Sequence, residues 1–306
     1  MEYAWIAISV FAALMQAVRT AAQKTLNQRM SNLATTYVRS LFGLPIMAVY
    51  LLVVLGFEPG LPSFSAGYLL NTFLGALAQV LATMLLILMF KLKNFAIGTM
   101  LTKVDIVMTA VLGSLLFSER LSLAGLVALL VVTAGVILMS IAKTGLAALS
   151  NWRGSLAAPF TDRAIQVALA CAFLFTLSYL FLREATLLAG PGSAVWRGAW
   201  TVVIAITMQV VGVGIWLWIK EPAAFAQIRP NAGIATFIGT TSALGSIGWF
   251  TAFAMQNASY VRAVGQIEVV FTLLISAFYF REKIRPLEYW GIALTVLGVV
   301  MFRVVY

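Results

Sequence analysis

The chain has 306 residues, of which 62% are hydrophobic and 10% charged, with 20 Lys and Arg against 10 Asp and Glu for a formal net charge of +10. So few charges cannot cover a water-soluble fold of this size, and the composition points to a bilayer. Histidine is absent and the single cysteine, Cys171, lies within an apolar run, which leaves no ligand set for zinc, copper or haem and no disulfide within one chain. No metal or cofactor is expected.

A membrane-spanning helix needs about 20 mostly apolar residues. Ten such stretches follow one another at 3–22, 38–55, 68–90, 95–117, 121–142, 164–182, 194–219, 232–255, 260–280 and 287–305. The expected fold is an all-α integral membrane protein of ten transmembrane helices, arranged as two five-helix repeats. The first stretch has no basic leader or small-residue cleavage site and reads as span one, not a signal peptide. Loops are short throughout, the longest running over 143–163, so any chemistry belongs inside the bundle.

Basic residues gather at span ends, which signals membrane orientation and not nucleic-acid binding. The loops after spans one, three, five, seven and nine hold twelve, from Lys24 and Arg29 to Lys283 and Arg285. The opposite side holds four: Arg120, Arg183, Arg262 and Arg303. The positive-inside rule then places both termini outside the cytoplasm of a cell inner membrane.

The halves echo each other. Adding 163 carries Asn94 to Asn257, Thr109 to Thr272, Glu119 to Glu282 and Gly135 to Gly298, and carries Asp105 to the chemically similar Glu268. Five spans separate the copies, an odd number, so the second enters the membrane reversed and the repeat is inverted. Residues 1–142 form the first repeat, 143–163 the connection and 164–306 the second. Polar positions on other spans also correspond: Gln79 and Thr83 with Ser242 and Ser246, Gln16, Arg19 and Gln23 with Thr176, Tyr179 and Arg183, and Arg39 with Arg197.

These features resemble the EamA branch of the drug/metabolite transporter (DMT) superfamily. The strings that carry the likeness are Phe117-Ser118-Glu119-Arg120-Leu121 with Ala134-Gly135-Val136, and Phe280-Arg281-Glu282-Lys283-Ile284 with Leu297-Gly298-Val299. An early Arg in spans two and seven belongs to the same pattern. The chain departs from it where many members carry an early proline in spans four and nine, roughly at Ile106 and Val269. The resemblance implies a ten-helix basket and a secondary transporter, commonly an exporter, of amino acids, sugars, amines or related metabolites.

Asp105 and Glu268 are the foremost candidates for substrate binding and for coupling. Each lies well inside its span, where a charge costs roughly 2.5–3.5 kcal/mol on insertion scales and so must face a cavity or a partner; the bland alternative is a structural ion pair. Lys103 and Gln266 precede them by two residues, roughly 200° away around a helix, and Lys103 either serves the site or snorkels. Arg19, Arg39 and Arg197 suit carboxylate or phosphate, or else tie helices together. Ser242, Ser246 and Trp249 form a stripe on one helical face that lines a pocket with Gln79, Thr83 and Tyr179, or serves as packing glue alongside Gly245 and Gly248. Glu119 and Glu282 read as turn and capping residues ahead of spans five and ten.

The leading functional expectation is a secondary transporter, with export favoured, of small polar metabolites bearing an anionic group, zwitterions included. Asp105 and Glu268 are then the groups available for coupling to protons. No nucleotide-binding string occurs. Efflux of lipophilic or quaternary cations is the alternative within transport, and an intramembrane enzyme is a remote one, without nucleophile, base or cofactor motif. The expected partners are the lipid bilayer, a small-molecule substrate and protons, with the chain a monomer or weak dimer.

Overall fold

The computed structural model describes residues 3–92, 102–144, 163–279 and 285–305. They form α1 (Ala4–Leu26), α2 (Asn32–Phe57), α3 (Ala66–Leu92), α4 (Asp105–Leu116), α5 (Leu123–Thr144), α6 (Arg163–Leu188), α7 (Ala194–Lys220), α8 (Ala232–Met255), α9 (Ala258–Gly265), α10 (Ile267–Tyr279) and α11 (Pro286–Val305). A short helical segment, Ala224–Ile228, joins α7 to α8. Among the described residues there is no strand. Among the described residues eight helices are long and apolar enough to cross a membrane, counting α9 and the start of α10 as one, and α4 is a shorter apolar helix.

Several elements begin or end where local chemistry, not hydropathy, dictates. Helix α2 starts at Asn32, six residues before the apolar run, because the Ser31 hydroxyl accepts the amide of Ala34 at 3.1 Å and caps the first turn. Ser193 caps α7 in the same way, accepting the amide of Trp196 at 3.1 Å. Thr35 and Thr36 on the added turns are buried by protein, so their polarity is no obstacle there. Helix α8 runs 24 residues but falls outside the eight apolar spans; Gly239, Thr241, Ser242, Gly245, Ser246, Gly248 and Thr251 along it are buried by protein.

One correction to the sequence reading concerns span nine. It is not a continuous helix over 260–280 but breaks at Gln266, between α9 and α10. No proline is involved. The Trp249 ring lies where a side chain at position 265 would stand, so Gly265 is the residue that admits the indole against the backbone, and the helix is interrupted beside it. On the first half, Thr102 is helical, Lys103 and Val104 form a turn, and α4 begins at Asp105.

Helix pairing interleaves the halves. Helix α3 packs on α6 and α1 on α8; α2 packs on α7, α5 on α11, α4 on α6, and α1 on α9 and α10. Exchanging corresponding spans of the two halves maps this pattern onto itself. Neither half encloses a core alone: the largest apolar cluster draws on α1, α4, α5, α6, α8, α9 and α11 together.

The α5–α11 crossing shows how the sequence permits this closeness. A Cβ added at Gly298 would stand 2.6 Å from Val132 Cγ2 and 2.8 Å from its backbone nitrogen, and one at Gly135 would meet Thr295 and the Gly291 carbonyl at 2.5 and 2.8 Å. The glycines that match across the repeat are thus the contact points of their own two helices. Helix α8 meets α1 similarly, with Gly248 facing Ala12. Gly298→Val should therefore force α5 and α11 apart and cost about 1–3 kcal/mol, read as a clear drop in thermal midpoint in detergent micelles. Gly212→Ala, where nothing lies within 4 Å of the added carbon, should leave the midpoint unchanged.

Candidate functional site

Asp105 is the first residue of α4 and Glu268 the second of α10. Both carboxylates therefore sit in the first turn of a short helix, where the helix dipole presents partial positive charge. The sequence alone suggested two acids midway along continuous spans. The breaks explain how charge is tolerated there.

Each acid also meets a cation from the opposite half. Arg262 of α9 donates from Nη2 to Asp105 Oδ2 at 2.8 Å, with both side chains at most 5% exposed. Lys103, in the turn before α4, brings Nζ to 3.9 Å from Glu268 Oε2. The two pairs cross between the repeats. Lys103 does not neutralise its near neighbour Asp105; its partner is the other half's acid.

Polar and aromatic groups hold these pairs in place. Gln16 of α1 donates from Nε2 to Glu268 Oε2 at 2.7 Å and accepts the Trp249 indole N–H on Oε1 at 3.0 Å. The Arg262 guanidinium lies 4.2 Å from the centre of the Tyr179 ring and 5.4 Å from that of Trp249, a cation–π arrangement on both faces. Tyr179 stacks in turn on Phe175. A second chain starts at Arg39, whose Nη2 donates to Gln209 Oε1 at 3.1 Å; Ser40 donates to the same oxygen at 3.1 Å, and Gln209 Nε2 donates to Gln79 Oε1 at 2.7 Å.

All of these groups but Ser40 and Gln209, which stand behind the wall, line one cavity of about 100 Å³. Of the residues singled out in the sequence, Asp105, Glu268, Lys103, Gln79, Ser246, Trp249, Tyr179, Arg19 and Arg39 line it. Four others do not. Thr83 spends its hydroxyl on the Gln79 carbonyl of its own helix at 2.7 Å. Ser242 is buried one turn beyond Ser246, where α8 is covered by protein. Gln266 is fully buried at the helix break, its amide 3.4 Å from the Arg262 carbonyl. Arg197, near the start of α7, donates to the Ala254 carbonyl at 3.0 Å, so it ties α7 to the end of α8.

Glu119 has a larger structural part than a turn before α5. The chain leaves α4 through Ser118, which has φ of 53°, and this left-handed residue swings Glu119 toward α9. Its Oε1 accepts the Ala258 amide at 2.6 Å and its Oε2 accepts the Ser259 hydroxyl and amide. Glu119 thus caps α9, a helix of the other half, where Asn257 makes no capping bond of its own. Arg183 joins it, with Nε 3.0 Å from Glu119 Oε1, Nη2 2.7 Å from Asn257 Oδ1 and Nη1 3.2 Å from the Phe253 carbonyl. Glu282, its counterpart, lies outside the described residues. Beyond the helix ends, Glu58 accepts the hydroxyl and amide of Ser193 at 2.6 and 2.8 Å, and those bonds hold its carboxyl below the usual range.

With the site in view, comparison with known proteins is informative. The model of the EamA-like transporter family matches the chain twice, over residues 3–141 and 162–304. The chain belongs to the EamA-like transporter family. It is therefore a multi-pass membrane transporter of the DMT type. One crystal structure that covers 100% of this chain and 98% of its own aligns with a TM-score of 0.69 at 15% identity, a likeness of fold. No curated protein matches significantly.

In this EamA-like chain the sequence reading missed two site residues. Arg262, near the outer end of the span expected at 260–280, counts in the sequence among the four basic residues of the opposite side. The helix in fact starts at Ala258, and Arg262 turns inward to Asp105. Gln209 went unremarked, although a lone amide inside the apolar α7 is costly without partners; it joins α2, α3 and α7.

The Glu119 cluster yields a stability ordering. Glu119→Ala leaves Arg183 and two α9 amides without their acceptor and should cost about 3–5 kcal/mol, as for a broken buried pair. Arg183→Met leaves Glu119 with its α9 donors and should cost less. Denaturant unfolding in micelles measures both, and the reverse order would show that the cap is not what Glu119 supplies.

Proposed function

We propose that this protein is a secondary active transporter that moves small polar organic metabolites with an anionic group by alternating access between two inverted five-helix repeats, 1–142 and 164–306, joined by 143–163 and together making ten spans. The observation that carries the reading is the pair of crossed ion pairs around one cavity, Asp105 with Arg262 and Glu268 with Lys103. Each links the halves at a helix break, so a substrate that competes for the cations loosens the contact between repeats at the point where they must move.

Export fits the orientation read from charge. With the side rich in Lys and Arg in the cytoplasm, Arg19, Thr20, Arg39 and Leu86 on the cavity wall lie toward the cytoplasmic ends of their helices, and the Glu119–Arg183–Asn257 cluster closes the other end. The burial of Arg262 and Arg183 inside the bundle removes both from the outer side and widens the charge asymmetry. Both termini then lie outside the cytoplasm. A reporter fused after Tyr306 that is active only in the cytoplasm should stay silent; activity there would reverse the orientation. Efflux of organic cations is the weaker reading, because Arg262 already occupies the Tyr179 and Trp249 faces that would receive one.

Coupling to protons falls to the carboxylates. Glu268 is the better placed, since its lysine stands at 3.9 Å and its side chain keeps 13% exposure, against 5% for Asp105. Reconstituted in liposomes with a panel of labelled metabolites, the protein should accumulate substrate on a pH gradient. Glu268→Gln should abolish gradient-driven accumulation while leaving substrate exchange across the membrane. Asp105→Asn should impair both, because Arg262 is left buried without its counter-charge. Full gradient-driven transport by both variants would remove these acids from the coupling step.

A further inference from the structure

The cavity wall is not electrically balanced. It carries four cations, Arg19, Arg39, Lys103 and Arg262, and two acids, Asp105 and Glu268. In ion-pair contact Asp105 meets Arg262 and Glu268 meets Lys103, while Glu268 also lies within electrostatic reach of Arg19 and Arg262. Arg19 and Arg39 remain without a carboxylate in ion-pair contact among the described residues. Arg39 is 5% exposed, and its one hydrogen bond is to the neutral Gln209. The Nε atoms of both arginines are buried with no hydrogen-bond partner.

Two guanidinium groups in a low-dielectric interior repel each other and carry a desolvation penalty that neutral amides do not offset. Buried arginines persist when an anion is part of the working state. The planar guanidinium fork also suits carboxylate and phosphate oxygens, which can take two parallel bonds from it. A net-neutral zwitterion would leave the wall's excess of two charges in place. A cargo with two negative charges would cancel it.

We infer that Arg19 and Arg39 form an anion-binding subsite and that the substrate is a small dianion, a dicarboxylate or a phosphate monoester, held there while its remaining polar groups meet Gln79 and the crossed pairs. This deepens the transport reading and rests on it for the word substrate, but the binding claim stands by itself. Gln79 is already oriented by Gln209, the same amide that fixes Arg39, so the subsite is braced before anything binds.

The test uses the purified full-length protein with succinate, inorganic phosphate and 3-phosphoglycerate as dianionic probes, leucine as a neutral zwitterion and tetraphenylphosphonium as a cation. Binding is read by calorimetry and thermal shift in detergent, transport by counterflow in liposomes. At least one dianion should raise the thermal midpoint and bind at least tenfold more tightly than leucine or tetraphenylphosphonium. Preference for succinate or for the phosphates separates the two sources of charge. Arg39→Gln and Arg19→Gln should each weaken dianion binding tenfold or more. Both variants remove a charge that has no ion-pair partner, so their unliganded midpoints should equal or exceed that of the parent, which distinguishes lost binding from lost folding. The inference is overturned if no dianion binds, if leucine or the cation binds as well, or if both glutamine variants bind dianions like the parent. Dianion binding that depends on the arginines without counterflow would keep the subsite and defeat the transport reading. Leucine counterflow indifferent to the arginines would do the opposite.

Discussion

A charge inside a bilayer-spanning bundle must find a counter-charge, a helix terminus or water, and the arrangement of this protein follows from how its interior charges do so. Asp105 and Glu268 each use two of these devices at once. They lie at the start of a half-helix, and they face a cation supplied by the other repeat. Because the cations come from across the pseudo-symmetric interface, neither half can settle its own acid. The interleaved pairing of α3 with α6 and α1 with α8 is the scaffold that brings the two together.

Much of this was legible in the chain, and the reasons are specific. The hydropathy of the spans and the 163-residue echo gave the helical membrane fold and the two repeats. The intramembrane acids stood out because such residues are expensive. Gly135 and Gly298 were readable as contact points because small residues are what allow backbones to approach in a bilayer. What periodicity could not show is that a helix stops. The break at Gln266 lies beside Gly265, against which Trp249 of α8 packs, and no hydropathy signal in span nine records that neighbour. Once the break is missed, Arg262 is misplaced as well, since its direction follows from the separate short helix on which it stands.

Symmetry in sequence also overstated symmetry in the site. Arg39 and Arg197 correspond across the repeat, yet one lines the cavity and the other holds the end of α8. The same split separates Gln79 from Ser242, Ser246 from Thr83, and Lys103 from Gln266. On the proposed alternating-access reading the two copies stand in unlike surroundings, so equivalent residues differ in burial in any single conformation. Matched positions in the sequence mark a shared potential, and the conformation decides which copy is in contact with the cavity.

The cap that Glu119 places on α9 joins two events that are usually treated apart. The first amides of a helix need an acceptor, and here the acceptor belongs to the opposite repeat. If the halves part at this end, those amides and the Arg183 guanidinium lose their partner together, and only water can replace it. Separation of the repeats without hydration would strand several polar groups in a dry crevice. Movement and wetting at this end are therefore a single cooperative step, and the barrier to it is set by how readily water reaches Ala258 and Ser259.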